Sequence, residues 1–174
     1  MKHYTHKFTI ALLLTLSVFF SPSSFSQSMD SDRLMRVADE IYGLTKTVEA
    51  YKETSRQLKK SQWDSISDDI RRIANTYKIA SIYSAILEKN ISIDLRKFHF
   101  GNKLANKDNR DETDMEILTG WMSADAIVKF LGELERSMPE VGPEMNHLKT
   151  RLQAANEQVT PYANKIMDRA SKLR

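Results

Sequence analysis

Apolar side chains recur at alternating steps of three and four residues along most of this chain, and that spacing commits it to helices. Leu34, Val37, Ile41, Leu44, Val48, Tyr51 and Leu58 share one face of a helix expected over residues 30–60. Trp63, Ile66, Ile70, Ile73, Tyr77, Ala80 and Leu87 do the same over 62–89. There Ile79, Ile82, Tyr83 and Ile86 widen the apolar face, which predicts the most deeply buried helix. A third stripe, Ile117, Trp121, Ala124, Val128 and Leu131, marks 113–137, with Leu118, Met122, Ile127 and Leu134 beside it. The fourth, Met145, Leu148, Leu152, Ala155, Val159, Tyr162 and Ile166, marks 143–173.

Local signals place the helix ends. Lys59 and Lys60 suit the negative end of the first helix, and Ser61 with Asp64 suits the N-terminus of the second. Thr113 and Glu116 have the spacing of a capping box, preceded by Asp111 and Glu112. Pro139 ends the third helix and Gly142-Pro143 opens the fourth, since proline is tolerated at the first helical position. Pro161 is expected to kink the fourth helix or split it after Thr160. The irregular connection 90–112 is long for a helical domain. Its Ile91, Ile93 and Leu95 alternate with polar residues, which suits an extended segment, while Ser92 suits the start of a short helix. The expected fold is all-α: an elongated antiparallel four-helix bundle with a long crossover between helices 2 and 3. A helix of about 28 residues is roughly 42 Å long.

The first 26 residues follow a different pattern. Lys2 and Lys7 form a basic head, Phe8 to Phe20 is an almost purely apolar run, and Ser24-Phe25-Ser26 supplies small residues around a bulky one. That is the layout of a signal peptide cleaved before Gln27. The run is shorter than the roughly 18 residues needed to span a bilayer, so no stable membrane insertion is expected after cleavage. Removing 26 of the 174 residues leaves 148, one domain's worth, 27–174. The expected location is the periplasm, with secretion beyond the cell as the other destination.

The chain has no cysteine, which excludes disulfides, thiolate metal sites, cysteine nucleophiles and covalent c-type haem. An exported domain of this kind is held by its apolar core alone. Without Lys2 and Lys7 the 26 basic residues become 24, against 23 acidic ones, so no nucleic-acid partner is expected.

No catalytic constellation emerges. There is no nucleophile elbow and no glycine-rich phosphate loop. Glu144 and His147 form half of a di-iron motif that has no second half. Met35 and His147 open helices whose starts lie at opposite ends of the expected bundle, so one haem cannot join them. Asp108, Asn109, Asp111, Glu112 and Asp114 lack the spacing and the glycine of a calcium loop. No cofactor and no metal site is expected, and no enzyme activity.

One segment is distinctive. Arg96, Lys97, Phe98, His99, Phe100 and Lys103 interleave cations with aromatics, and Lys107 and Arg110 continue the basic character. Such a surface suits docking to a protein in the cell envelope. The expected function is a non-catalytic periplasmic protein-binding module acting through a helix face or the 90–112 connection. Its more specific form is an immunity or inhibitor protein that neutralises a toxin enzyme. The competing class is a cofactor- or metal-carrying bundle or a hydrolase. Sustained three-four spacing also permits a homo-oligomer through coiled-coil contacts.

Overall fold

Asp30 starts the first helix: its side chain accepts a hydrogen bond from the Asp32 N–H at 3.0 Å. The computed structural model describes residues 30–89 and 109–172, which are helical apart from short breaks such as 55–59 and 158–159, with no strand among them. The elements are α1 (Ser31–Thr54), α2 (Lys60–Lys89), α3 (Asn109–Ser137), a 3₁₀ turn (Pro139–Val141), α4 (Gly142–Glu157) and α5 (Thr160–Ser171). The leader 1–26 and residues 90–108 of the connection lie outside the described residues. Among the described residues no helix is long and apolar enough to cross a membrane.

Polar contacts at matched heights give the helix directions. Ser31 donates through its N–H and hydroxyl to Glu88 at 2.9 and 2.8 Å, while Lys52 pairs with Asp64, so α1 and α2 are antiparallel. Glu135 pairs with Lys149 and Asp114 with Arg169, so α4 and α5 return along α3. Gln158 reaches Glu40 and His147 reaches Tyr51, which sets α4 antiparallel to α1. Between these contacts the predicted stripes meet. Leu34, Ile41 and Leu44 of α1, Ile70, Ile73 and Tyr77 of α2, Ile117 and Leu131 of α3, and Met145 and Leu148 of α4 are all fully or almost fully buried in one cluster. Each such aliphatic side chain contributes about 1.5–3 kcal/mol by leaving water.

Several helix ends differ from the sequence expectation. The first helix ends at Thr54 rather than 60. The Thr54 hydroxyl donates to the Ala50 carbonyl and Ser55 turns extended, yet Leu58 still reaches the core. The second begins at Lys60, with Gln62 Oε1 accepting the Lys59 N–H at 2.9 Å. Ser61 and Asp64 therefore lie inside α2, and Lys59 and Lys60 stand at its start rather than at the end of α1. The third helix begins at Asn109, so Thr113, 2% exposed, is an interior position and not a cap. The last helix breaks before Thr160, not after it. Pro161 has no N–H, and in a continuous helix its ring would strike the carbonyl of Glu157, where α4 stops.

Candidate docking face

Seen down its axis, α3 has two apolar sides. Ile117, Ala124 and Leu131 face the core. Met115, Thr119, Met122, Ala126 and Phe130, at steps of four, three, four and four, run along the opposite side, and all five are exposed. Met115 and Met122 are each 62% exposed. The stripe carries no charged side chain and advances roughly 22 Å along the helix. An Asp125–Lys129 ion pair at 2.7 Å runs beside it.

The stripe ends at an apolar hollow. Phe130 and Leu134 of α3 meet Leu58, Gln62, Ser65 and Ile66 around a cavity of about 120 Å³. Unbranched thioethers adapt their shape to what they touch. A flexible methionine row leading to an aromatic beside a hollow can accept the apolar side of another polypeptide.

Contacts on the inner side of α3 keep this stripe turned outward. Tyr77 packs against Gly120 and donates its hydroxyl to Asn156 Oδ1 at 2.6 Å. Asn156 Nδ2 donates to the Trp121 carbonyl at 3.2 Å, and Trp121 Nε1 donates to Thr160 Oγ1 at 3.0 Å. Arg169 holds Asp114 at 2.7 Å. The break between α4 and α5 thus lies where a polar chain needs donors and acceptors, and α3 is clamped from one end to its middle.

A second cluster stands where α1 ends and α4 begins. Tyr51 Oη and His147 Nδ1 are 2.5 Å apart, and the Tyr51 and Trp63 ring centres are 5.9 Å apart. Burial, reinforced by the nearby Glu144 carboxylate and opposed by Arg151, raises the Tyr51 pKa above the usual phenol value. The phenol is therefore neutral, and the direction of its hydrogen bond with Nδ1 follows the imidazole tautomer. This pair ties α1 to α4. Among the described residues no three histidine or acidic side chains converge to hold a metal ion.

The expected site residues Arg96, Lys97, Phe98, His99, Phe100 and Lys103 lie outside the described residues, as do Lys107 and Asp108. Glu144 stands in the first turn of α4, while His147 is exposed and engaged by Tyr51. His147 packs at the level of Tyr51, sixteen positions past Met35 and so roughly 24 Å along α1 from it. Asp114, considered above for a calcium loop, is bound to Arg169.

Met122 requires a correction. The sequence reading set it beside the third core stripe, but it is 62% exposed and points away from the core. The signal was present: Met115 and Met122 are seven residues apart and lie on the side opposite the Ile117–Ala124–Leu131 row. Compared with family models, with curated proteins and with solved structures, the chain matches none.

Proposed function

We propose that this chain is a non-catalytic protein-binding module of the bacterial envelope. In this reading the leader 1–26 is cleaved and the mature chain works in the periplasm as an elongated antiparallel four-helix bundle with a crossover between α2 and α3. The observation that supports binding is the charge-free exposed stripe of α3, Met115 to Phe130, ending at an apolar hollow. Exposed apolar rows of this extent favour a partner, because water gains nothing from them. The partner is an envelope protein that offers an apolar helix face or a row of apolar side chains. The basic and aromatic segment 96–103 precedes α3 in the sequence, and in this reading its cations and aromatics take part in binding.

The test is capture from periplasmic extract at physiological salt, with the mature chain as bait. A defined partner is expected, lost with Met115→Lys/Met122→Lys and weakened by Phe100→Ala, while the melting temperature stays unchanged. Identical capture by the wild-type and double-lysine chains rejects the face, and protein fractionating with the cytosol rejects the compartment. A captured toxin enzyme inhibited by the chain identifies the immunity form of this reading.

A further inference from the structure

The exposed stripe of α3 is arranged evenly about its smallest member. Ala126 is exposed, with Met122 and Phe130 four residues to either side of it and Thr119 and Glu133 seven residues to either side. All four flanking residues are exposed, Met122 by 62% and Phe130 by 43%. With Ala126 as the outward direction, Met122 leans roughly 40° to one side and Phe130 as far to the other. Glu133 and Thr119 lean to those same two sides by roughly 20°. A surface with this arrangement is complementary to itself turned end over end, the requirement for an isologous contact.

We infer that, in the absence of another partner, two copies of this chain pair through this face, with the two α3 helices antiparallel and Ala126 on the two-fold axis. The inference rests on the docking reading of α3, since it uses the same surface. Each Met122 shares a layer with Phe130 of the second copy, a thioether against an aromatic ring. Each Thr119 hydroxyl stands level with Glu133 of the second copy, where it can donate to the carboxylate.

The charges fit the same register. Asp125 and Lys129 lie on one flank of the stripe, with side chains 46% and 73% exposed. Like flanks meet in an antiparallel pair. Asp125 then stands two residues, about 3 Å of rise, from the level of Lys129 of the second copy. The ion pair within each copy thus extends into a network of four alternating charges. A parallel pair would instead set Glu133 against its own copy, like charge on like.

The pair is weak by size. A seam from Thr119 to Glu133 is about 21 Å long and one helix, about 10 Å, wide, well short of the roughly 800 Å² per partner of a standard interface. Such a pair covers the stripe at high concentration and gives way to a better-fitting partner.

The chain has no cysteine, so introduced thiols report cleanly. With the helix axes about 9.5 Å apart, opposed Cα atoms of Ala126 are about 5 Å apart, within disulfide reach. Met122 is about 12 Å of rise from its own copy, beyond that reach. In the full chain, Ala126→Cys is therefore expected to oxidise to a disulfide-linked dimer at least about tenfold faster than Met122→Cys or Phe130→Cys alone, although Met122 is well exposed. The Met122→Cys/Phe130→Cys double variant is expected to link as fast as Ala126→Cys. Adding Met122→Lys to Ala126→Cys is expected to abolish the advantage, with helical circular dichroism retained. Met122→Cys linking as fast as Ala126→Cys overturns the inference, because random collision or a parallel pair would produce it. Failure of Ala126→Cys to link also overturns it. An envelope protein captured by a chain whose Ala126→Cys form stays monomeric removes the pair and keeps the docking reading. Linkage at Ala126→Cys without any captured protein keeps the pair and removes the envelope partner.

Discussion

Tyr77 and Gly120 are in direct contact: a Cβ on residue 120 would stand 2.8 Å from Tyr77 Cε1. Glycine in the middle of a 29-residue helix lowers its intrinsic stability, so the contact explains why the position has no side chain. The phenol cannot swing aside. Its ring is fully buried, and its hydroxyl is held by Asn156 where α4 nears its end. One glycine thus lets α3 approach α2 closely.

Gly120→Ala is expected to destabilise the fold by about 1–3 kcal/mol through overpacking, although alanine is the better helix former. Denaturant titration measures it. In a Tyr77→Leu background the same substitution is expected to cost less, because the two residues are in contact and couple. Equal costs in both backgrounds would mean that the ring is not the obstacle.

Gly43→Ala is expected to act in the opposite direction. Nothing lies within 4 Å of a Cβ built there, and the residue is inside α1. A gain of about 0.5–1 kcal/mol follows from helix propensity and the less flexible unfolded chain. A fall in the denaturation midpoint contradicts it.

Tyr77 makes the fold sensitive to alkali. Burial pushes its pKa far above the usual phenol value. Below pH about 10 the hydroxyl is protonated in both states and its contribution is complete. Above that the unfolded chain releases the proton and the folded one does not, so stability falls by up to about 1.4 kcal/mol per pH unit. Tyr77→Phe is expected to lower stability at neutral pH by about 1–3 kcal/mol, since Asn156 loses its donor. It is also expected to flatten the decline between pH 10 and 12. Parallel pH curves for the two proteins refute the assignment.

Ile73→Asp is expected to unfold the domain. Ile73 is 2% exposed in the central cluster, and an unpaired charge there costs several kcal/mol, comparable to the whole stability of a domain. Far-ultraviolet circular dichroism during heating checks it, and a sharp transition near the wild-type temperature contradicts it.

Helix ends were legible where a residue acts alone and illegible where a partner decides. Pro139 and Gly142-Pro143 delimit the 3₁₀ turn and the start of α4 because proline's ring imposes its own geometry. Thr113 and Glu116 matched a capping box by spacing alone, yet the helix already runs through them from Asn109. Ser61 and Asp64 failed in the same way, because Gln62 caps Lys59 and Lys52 takes Asp64.

The docking face was half legible. Sequence period assigns Met115, Met122 and Phe130 to one side of α3, but being off the core stripe does not make a residue exposed. Tyr83 and Ile86 are just as far off the core stripe of α2 and are buried.

The order of side chains by itself determined the helical character and the inward rows, because a 3.6-residue turn converts spacing into direction without reference to any neighbour. Only the tertiary structure decided that Tyr77 meets Gly120, that Tyr51 meets His147 and that Met122 meets solvent. Those outcomes depend on which helix lies alongside and at what height, and periodicity within one helix carries no information about either.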